Sequence, residues 1–546
     1  MLRRSIALLL LSAPLALCAQ THAPAASSAS RKAAEQRTAD AFEKARKGGP
    51  LTLHAFLEAM PKGADLHMHL SGAIYAETFL AEAVDDGLCV DTVKLTLAKP
   101  NPGGSVCPAG SIPAAQAISP RNPEAQALYD ALVDAMSVRT FVPRSGTDGH
   151  DQFFQAFSHW SALGGRHAGA WLDEVATRAA TQNEQYLEIM QTPTFSHAAT
   201  LGYQLGWPTP LKPATTAATS VPDDTGGASR AELASLRDKL LAAGLRDEVA
   251  TDKAEFDTAL AQRQSLEHCG TPQALPACSV QIKWIYQILR AFPPQQVFAQ
   301  TLLGFEVASA DPNVVGINFV QPEDDYMAMT EYHRQMLMLD YLHSVYPSVH
   351  LSLHAGELAP GMVPPAGLRF HIHEAVDLGH AERIGHGVDA MYEDDPSGLL
   401  KELAAKHVMV EINLTSNDVI LGVTAPNHPL PDYRAAHVPV SLNTDDEGVS
   451  RIDLTHEYVT AAEEFGLDYR DLKQMARTGL EHTFLPGASL WEHPDVFTLP
   501  AKPCAAVPLG IQAPAGSCAD FLNANPHAAQ QWELERRFRS FEATAR

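Results

Sequence analysis

Val349-His350-Leu351-Ser352-Leu353-His354-Ala355-Gly356-Glu357 is a short apolar run that ends on a histidine, turns through a glycine and meets an acid. A run of this length, closed by a turn residue, reads as a buried strand. Seven more candidate strands lie near residues 64–69, 185–190, 280–289, 314–320, 383–386, 408–414 and 439–443. Most are followed by a polar or glycine-containing turn and then by a helical pattern. Such alternation specifies a parallel sheet with crossover helices, and eight units point to a closed barrel rather than an open sheet. The expected fold class is therefore α/β, a (β/α)8 TIM barrel.

Two regions interrupt the rhythm, at about residues 89–149 and 196–278, and read as insertions after the first and second strands. The first is rich in Pro, Gly and Ser before a helix near Phe153; the second is loop-like at first and then helical over residues 230–265. The organisation expected is a signal peptide over residues 1–19, a tether and helix over 20–60, the barrel over 61–490 and a C-terminal extension with a charged helix over 491–546. No internal repeat, GxGxxG or P-loop pattern is present, which disfavours a nucleotide-cofactor enzyme.

The 546 residues are 45% hydrophobic and 19% charged, an ordinary globular composition. The formal charge is 40 − 64 = −24, which argues against nucleic acid and anionic membranes as partners. Arg3 and Arg4 precede an apolar run from Ile6 to Leu17 that is too short to span a membrane. Export to the periplasm or beyond the cell is expected, with cleavage near residues 18–19; a lipid anchor on Cys18 is the less favoured alternative, since Leu17 fits a small-residue site poorly. The six remaining cysteines fall into close pairs, Cys89 with Cys107, Cys269 with Cys278 and Cys504 with Cys518. An even count in an exported chain suggests local disulfides.

The chemistry lies at the strand ends. His67-Met68-His69 closes the first candidate strand, and residues two apart on a strand face one way. His354 ends the fifth strand, His386 ends the sixth within Gly385-His386-Gly387, and Asp445-Asp446 follows the eighth. A barrel brings such ends together at one mouth. Three histidines and a carboxylate suit a divalent transition metal, zinc first. Each piece alone has a plainer reading: a surface His-x-His, a turn histidine, a solvated Asp-Asp turn, a helix N-terminal Glu357. The set is what carries the argument.

Pro61-Lys62-Gly63-Ala64-Asp65-Leu66-His67-Met68-His69-Leu70-Ser71-Gly72-Ala73-Ile74 resembles the opening motif of the adenosine deaminase family. His354-Ala355-Gly356-Glu357, Arg383-Ile384-Gly385-His386-Gly387 and Ser441-Leu442-Asn443-Thr444-Asp445-Asp446 resemble its other signature segments, in order, and Thr415-Ser416-Asn417 and Asn427-His428-Pro429 also match family patterns. The likeness runs from about residue 61 to 486, and the export signal and cysteines look more like the secreted, growth-factor-type branch. The resemblance implies one Zn2+ per chain on His67, His69, His354 and Asp445. It implies Glu357 as the proton donor to purine N1, His386 as the group that orients the attacking water and takes up its proton, and Asp446 as a partner of N7. Phe154 and Phe157, in Phe153-Phe154-Gln155-Ala156-Phe157, stand where the family has an apolar lid; an amphipathic core helix is the other reading.

Two positions depart from the family. Ser71 stands where an acid commonly meets the ribose, and Gln321, in Val320-Gln321-Pro322-Glu323, replaces a glycine whose N–H meets the purine. Both bear on the sugar side and pocket shape. The implied reaction is deamination of adenosine, and of 2′-deoxyadenosine, to inosine or deoxyinosine and ammonia. The alternatives are AMP, an N6-substituted AMP or adenine as substrate, with Arg369 and His371 the local candidates for a phosphate. Further alternatives are another amidohydrolase, against which the lack of Lys in residues 314–320 weighs, and a secreted binding or signalling protein with a relict metal site. The absence of a PCxxC segment disfavours a cytidine-type deaminase. A small-molecule purine nucleoside is the expected partner, and a homodimer is a possible assembly.

Overall fold

In the computed structural model, residues 28–104, 106–118, 123–142, 146–208 and 228–544 are described. The expected export signal, with Cys18, lies outside them. All eight strands form: β1 (Gly63–His69), β2 (Glu184–Gln191), β3 (Gln281–Leu289), β4 (Val314–Val320), β5 (His350–Ala355), β6 (Arg383–His386), β7 (Met409–Ile412) and β8 (Val440–Leu442). Each pairs in parallel with the next in chain order. Past the end of β8, Asp445 donates its N–H to His67 O at 2.8 Å and accepts from His69 N–H at 3.3 Å. That pairing returns the last strand to the first, so the sheet closes into the (β/α)8 barrel.

Closure buries both faces of the strands, which explains why they are nearly continuous apolar runs. Every residue of β1 is buried. The crossover helices start where the sequence supplies the right chemistry. Pro294 opens the helix Pro294–Ala310, and the Asp325 side chain accepts the Met327 N–H at the start of Tyr326–Val345.

Two expectations change. The seventh strand does not reach Leu414: it stops at Ile412, because the N–H groups of Leu414 and Thr415 hold the buried Glu457 carboxylate at 2.7 and 3.2 Å and begin the helix Leu414–Leu421. The single helix expected over residues 230–265 is two, Arg230–Ala242 and Asp247–Leu266, separated by a turn whose Leu245 is fully buried.

After β1 the chain makes a small antiparallel sheet of Cys89–Asp91, Thr96–Ala98 and Ser111–Pro113 before the helix Gly146–His159. The three cysteine pairs bond as their proximity suggests, Cys89–Cys107, Cys269–Cys278 and Cys504–Cys518. The charged C-terminal helix is Pro526–Thr544, and it packs under the start of β2, where Arg537 donates to Glu184 O at 3.0 Å. No helix among the described residues is long and apolar enough to cross a membrane.

Inside the barrel a polar group joins four strands. Arg383 of β6 is fully buried between Glu188 of β2, at 2.6 Å, and Glu411 of β7, at 2.7 Å. Glu411 also accepts from Ser352 of β5 at 2.8 Å. Buried charges need such pairing to offset their desolvation. The Glu411 oxygen left over points up the barrel, toward β1.

Candidate metal centre and active site

Glu411 supplies the first fixed point. Burial pushes its carboxyl upward, but Arg383 and His67 outweigh that and hold it below the usual carboxylate range. An ionised carboxylate only accepts, so His67 donates from Nδ1 to Glu411 Oε2 at 2.7 Å. The lone pair of His67 is therefore on Nε2, which is buried and has no hydrogen-bond partner.

The same logic fixes the other imidazoles. Asn318 Nδ2 donates to the backbone oxygen of Ser352 at 2.7 Å, which turns its Oδ1 to His354 Nδ1 at 2.8 Å. Thr192 gives its hydroxyl proton to Gln287 O and accepts from Gln287 Nε2, which turns Gln287 Oε1 to His69 Nδ1 at 2.6 Å. All three histidines thus carry the proton on Nδ1 and present Nε2. His69 Nε2 lies 3.3 Å and His67 Nε2 3.7 Å from Asp445 Oδ1, while Asp445 Oδ2 accepts from Ser416 Oγ at 2.7 Å. His67, His69 and Asp445 offer ligand atoms within 4.8 Å of one another, as do His67, His354 and His386.

His67 Nε2 is buried without a partner, and His69 Nε2 turns to the Asp445 carboxylate. A divalent cation satisfies them, and the outward carboxylate and amide partners are those that orient metal-binding imidazoles. The residues fit the group. The charge balance agrees: burial lowers His69, but Asp446 and Asp445 outweigh it and raise its imidazole to about 9, so the surroundings favour positive charge at this place.

His386 is set differently. The Leu430 N–H donates to His428 Nδ1 at 3.0 Å, so His428 donates from Nε2 to Asn417 Oδ1, also at 3.0 Å. Asn417 then gives its Nδ2 proton to His386 Nδ1 at 3.1 Å. Burial lowers His428 to about 4, which keeps this relay neutral. The proton of His386 is consequently on Nε2, a buried atom with no partner. His386 is a donor beside the three acceptors.

The carboxyls of Glu357 and Asp446 complete the mouth. Burial, then the charges of Asp445 and Glu323, push Glu357 well above the usual range; burial, then Asp445, do the same for Asp446. Both therefore hold protons more readily than free carboxyls. Glu323 caps the loop that carries Glu357, accepting from the N–H groups of Gly356 and Glu357 at 3.0 and 2.8 Å. His386 and Asp445 have φ of 69° and 59°, in the left-handed region. Such backbone costs energy and persists where neighbours over-determine it, most often at functional sites.

A cavity of about 700 Å³ opens above these groups, lined by His69, His354, Glu357, Asp445 and Asp446 among others. A family profile described as adenosine deaminase matches residues 254–490, which contain His354, Glu357, His386, Asp445 and Asp446. Over those residues the chain is similar to the adenosine deaminase family. The adenosine deaminase of Shewanella loihica is 40% identical over 136 residues, which cover 25% of this chain and 38% of that protein. The aminodeoxyfutalosine deaminase of Streptomyces coelicolor is 40% identical over 127 residues, 22% of this chain and 32% of its own length. The chain thus spans well under half the length of these curated relatives. Among solved structures, the N6-mAMP deaminase MAPDA of arabidopsis has a TM-score of 0.49 and 19% identity, covering 79% of this chain and 96% of that one.

The remaining expected site residues, Ser71, Gln321, Phe154 and Phe157, all line the cavity. Ala156 of the same helix is fully buried in the core while Phe153, Phe154 and Phe157 line the cavity, so the helix packs inward and walls the cavity at once. Gln321 has φ of 92°, the conformation a glycine adopts freely, and its side chain is drawn out of the way, with Oε1 accepting the Ala291 N–H at 2.8 Å. Arg369 pairs with Asp394 on the surface, and His371 is fully buried beneath Tyr332; neither lines the cavity. Gly72 is required by close approach, because a Cβ there would lie 1.4 Å from Asp446 Oδ1.

The reading from sequence missed the partners that set the protons: Glu411, Asn318, Gln287 and Arg383, and the relay through His428. Their signal is a polar residue inside an otherwise apolar strand, which a closed barrel must satisfy internally.

Proposed function

We propose that the chain is a hydrolytic deaminase that converts adenosine and 2′-deoxyadenosine to inosine and deoxyinosine with release of ammonia. The observation that carries this reading is the meeting, at the mouth of the barrel, of the imidazoles of His67, His69 and His354 with the Asp445 carboxylate and with Glu357 and Asp446, whose carboxyls burial pushes upward. Zinc, one ion per chain on His67, His69, His354 and Asp445, would supply the Lewis acidity that makes water nucleophilic near neutral pH.

The protein groups divide the remaining work. Attack at C6 breaks the ring's aromaticity unless N1 gains a proton, and Glu357 is the acid placed to give it. Asp446, holding a proton, donates to N7 and sets the base against the reacting water. His386, with its proton on Nε2 and its Nδ1 held by Asn417 at 3.1 Å, orients that water as a donor. Phe154 and Phe157 cover the base and exclude bulk water.

The nearest rival substrates carry a phosphate. Among the described residues that line the cavity there is no Lys or Arg, which favours a neutral nucleoside. A relict site in a binding protein is disfavoured by the completeness of the donor and acceptor set. The three disulfides support an oxidising location, periplasmic or secreted, consistent with the growth-factor-type likeness.

Ammonia release from adenosine, 2′-deoxyadenosine, AMP, N6-methyl-AMP and adenine tests the reading. The nucleosides are expected to exceed AMP in kcat/KM by about 10²-fold. An AMP rate equal to that of adenosine would move the assignment to nucleotides. Gly72→Ala is expected to displace Asp446 and lower kcat/KM for adenosine by about 10²-fold, with a thermal midpoint only a few degrees lower (about 1–2 kcal/mol). Unchanged kinetics in a folded variant would remove Asp446 from the site.

A further inference from the structure

Resting on the purine reading above, we infer that Glu255, carried by the second insertion, is the sugar-side acceptor of the site and the group that rejects a 5′-phosphate. Ser71, beside the first motif, lines the cavity without charge, and Glu255 lines it as a carboxylate away from the candidate metal site. The helix Asp247–Leu266 packs on Ala168–Thr181 beside the barrel and brings Glu255 to the rim of the cavity.

Hydrogen bonds and one short stretch of chain lead from the candidate metal site to this rim. His69 donates to Gln287, Gln287 donates to Thr192, and two residues further Thr194 donates both its N–H and its hydroxyl to Glu255 Oε2, at 3.2 and 3.1 Å. Both bonds fall on one oxygen. Among the described residues Oε1 accepts nothing, and it faces the cavity loop at Gly165, 3.8 Å from the Cβ position there. The nearby Arg166 is paired with Asp86 and does not neutralise it.

An ionised carboxylate with a free oxygen selects a ligand that brings donors. Ribose hydroxyls are donors. A 5′-phosphate at neutral pH brings negative charge instead, and like charges at an interface oppose binding strongly. A cavity of about 700 Å³ has room for a base at the metal centre and a sugar reaching the rim. The base is read at one end and the sugar at the other, by an element that lies outside the repeating barrel units.

The test is equilibrium binding of inosine, IMP and hypoxanthine to the full chain and to its Glu255→Gln and Glu255→Lys variants, beside ammonia release from adenosine and AMP. The parent protein is expected to bind inosine at least about tenfold more tightly than IMP. Glu255→Gln narrows that ratio, Glu255→Lys inverts it, and hypoxanthine affinity stays within about twofold throughout because the base end is untouched. An inosine-to-IMP ratio that is the same in all three proteins overturns the inference, as does the absence of inosine binding. If the ratio shifts as expected but no purine releases ammonia, the sugar-side role of Glu255 stands and the assigned activity falls.

Discussion

Glu357→Gln is expected to lower kcat for adenosine by about 10³-fold or more, at the upper end of what a positioned general acid contributes, while metal content and folding stay unchanged. The amide keeps the shape of the acid and accepts its place beside the capped loop, where Glu323 holds the backbone of Gly356 and Glu357. What it cannot do is deliver a proton to N1. Glu357 is not needed to hold the cation, since His67, His69, His354 and Asp445 are held in position by Glu411, Gln287, Asn318 and Ser416. The variant has no titrating group at this place, so the loss should be largest where the parent's Glu357 is protonated and should shrink as pH rises through its raised titration. Kinetics and metal analysis on the same preparation check this. A variant that turns over at the parent rate would show that the proton reaches the ring from another group.

His67→Ala is expected to lose metal and activity together. His67 is the candidate ligand joined through Glu411 to Arg383 and Glu188 at the centre of the barrel. Its removal takes away one acceptor and opens a void among buried polar groups. Stability should fall as well, by about 2–4 kcal/mol for a buried side chain of this size. Thermal unfolding separates that effect from loss of the cation: a folded variant with no metal and no turnover is the predicted state. Stoichiometric metal in His67→Ala, with activity retained, would contradict the ligand set.

The clustering of the candidate ligands was legible because a barrel converts chain position into spatial position. His67, His69, His354, His386 and Asp445 each stand at or just past the end of a candidate strand, and the ends of eight parallel strands share one mouth. The strands were legible for the same reason, as buried apolar runs. What escaped was set by contacts between distant segments. The seventh strand ended early because Glu457, more than forty positions away, takes the N–H groups that would have continued it. Glu411, Asn318 and Gln287 have no motif around them, and only the folded barrel shows that their oxygens decide which nitrogen of each imidazole is bare. The Asn-His-Pro segment at residues 427–429 was visible as a pattern, but its work is to fix the tautomer of His386 through Asn417, which no spacing reveals. Glu255 was hidden most completely, in an insertion helix whose register against the barrel is a matter of packing alone.

The most direct measurement is metal content per chain together with adenosine turnover on one purified sample, before chelation, after chelation and after zinc is returned. One equivalent of metal per chain, activity lost with it and restored by zinc, is the expected result. A chain stripped of metal that still releases ammonia from adenosine at the original rate would contradict the account.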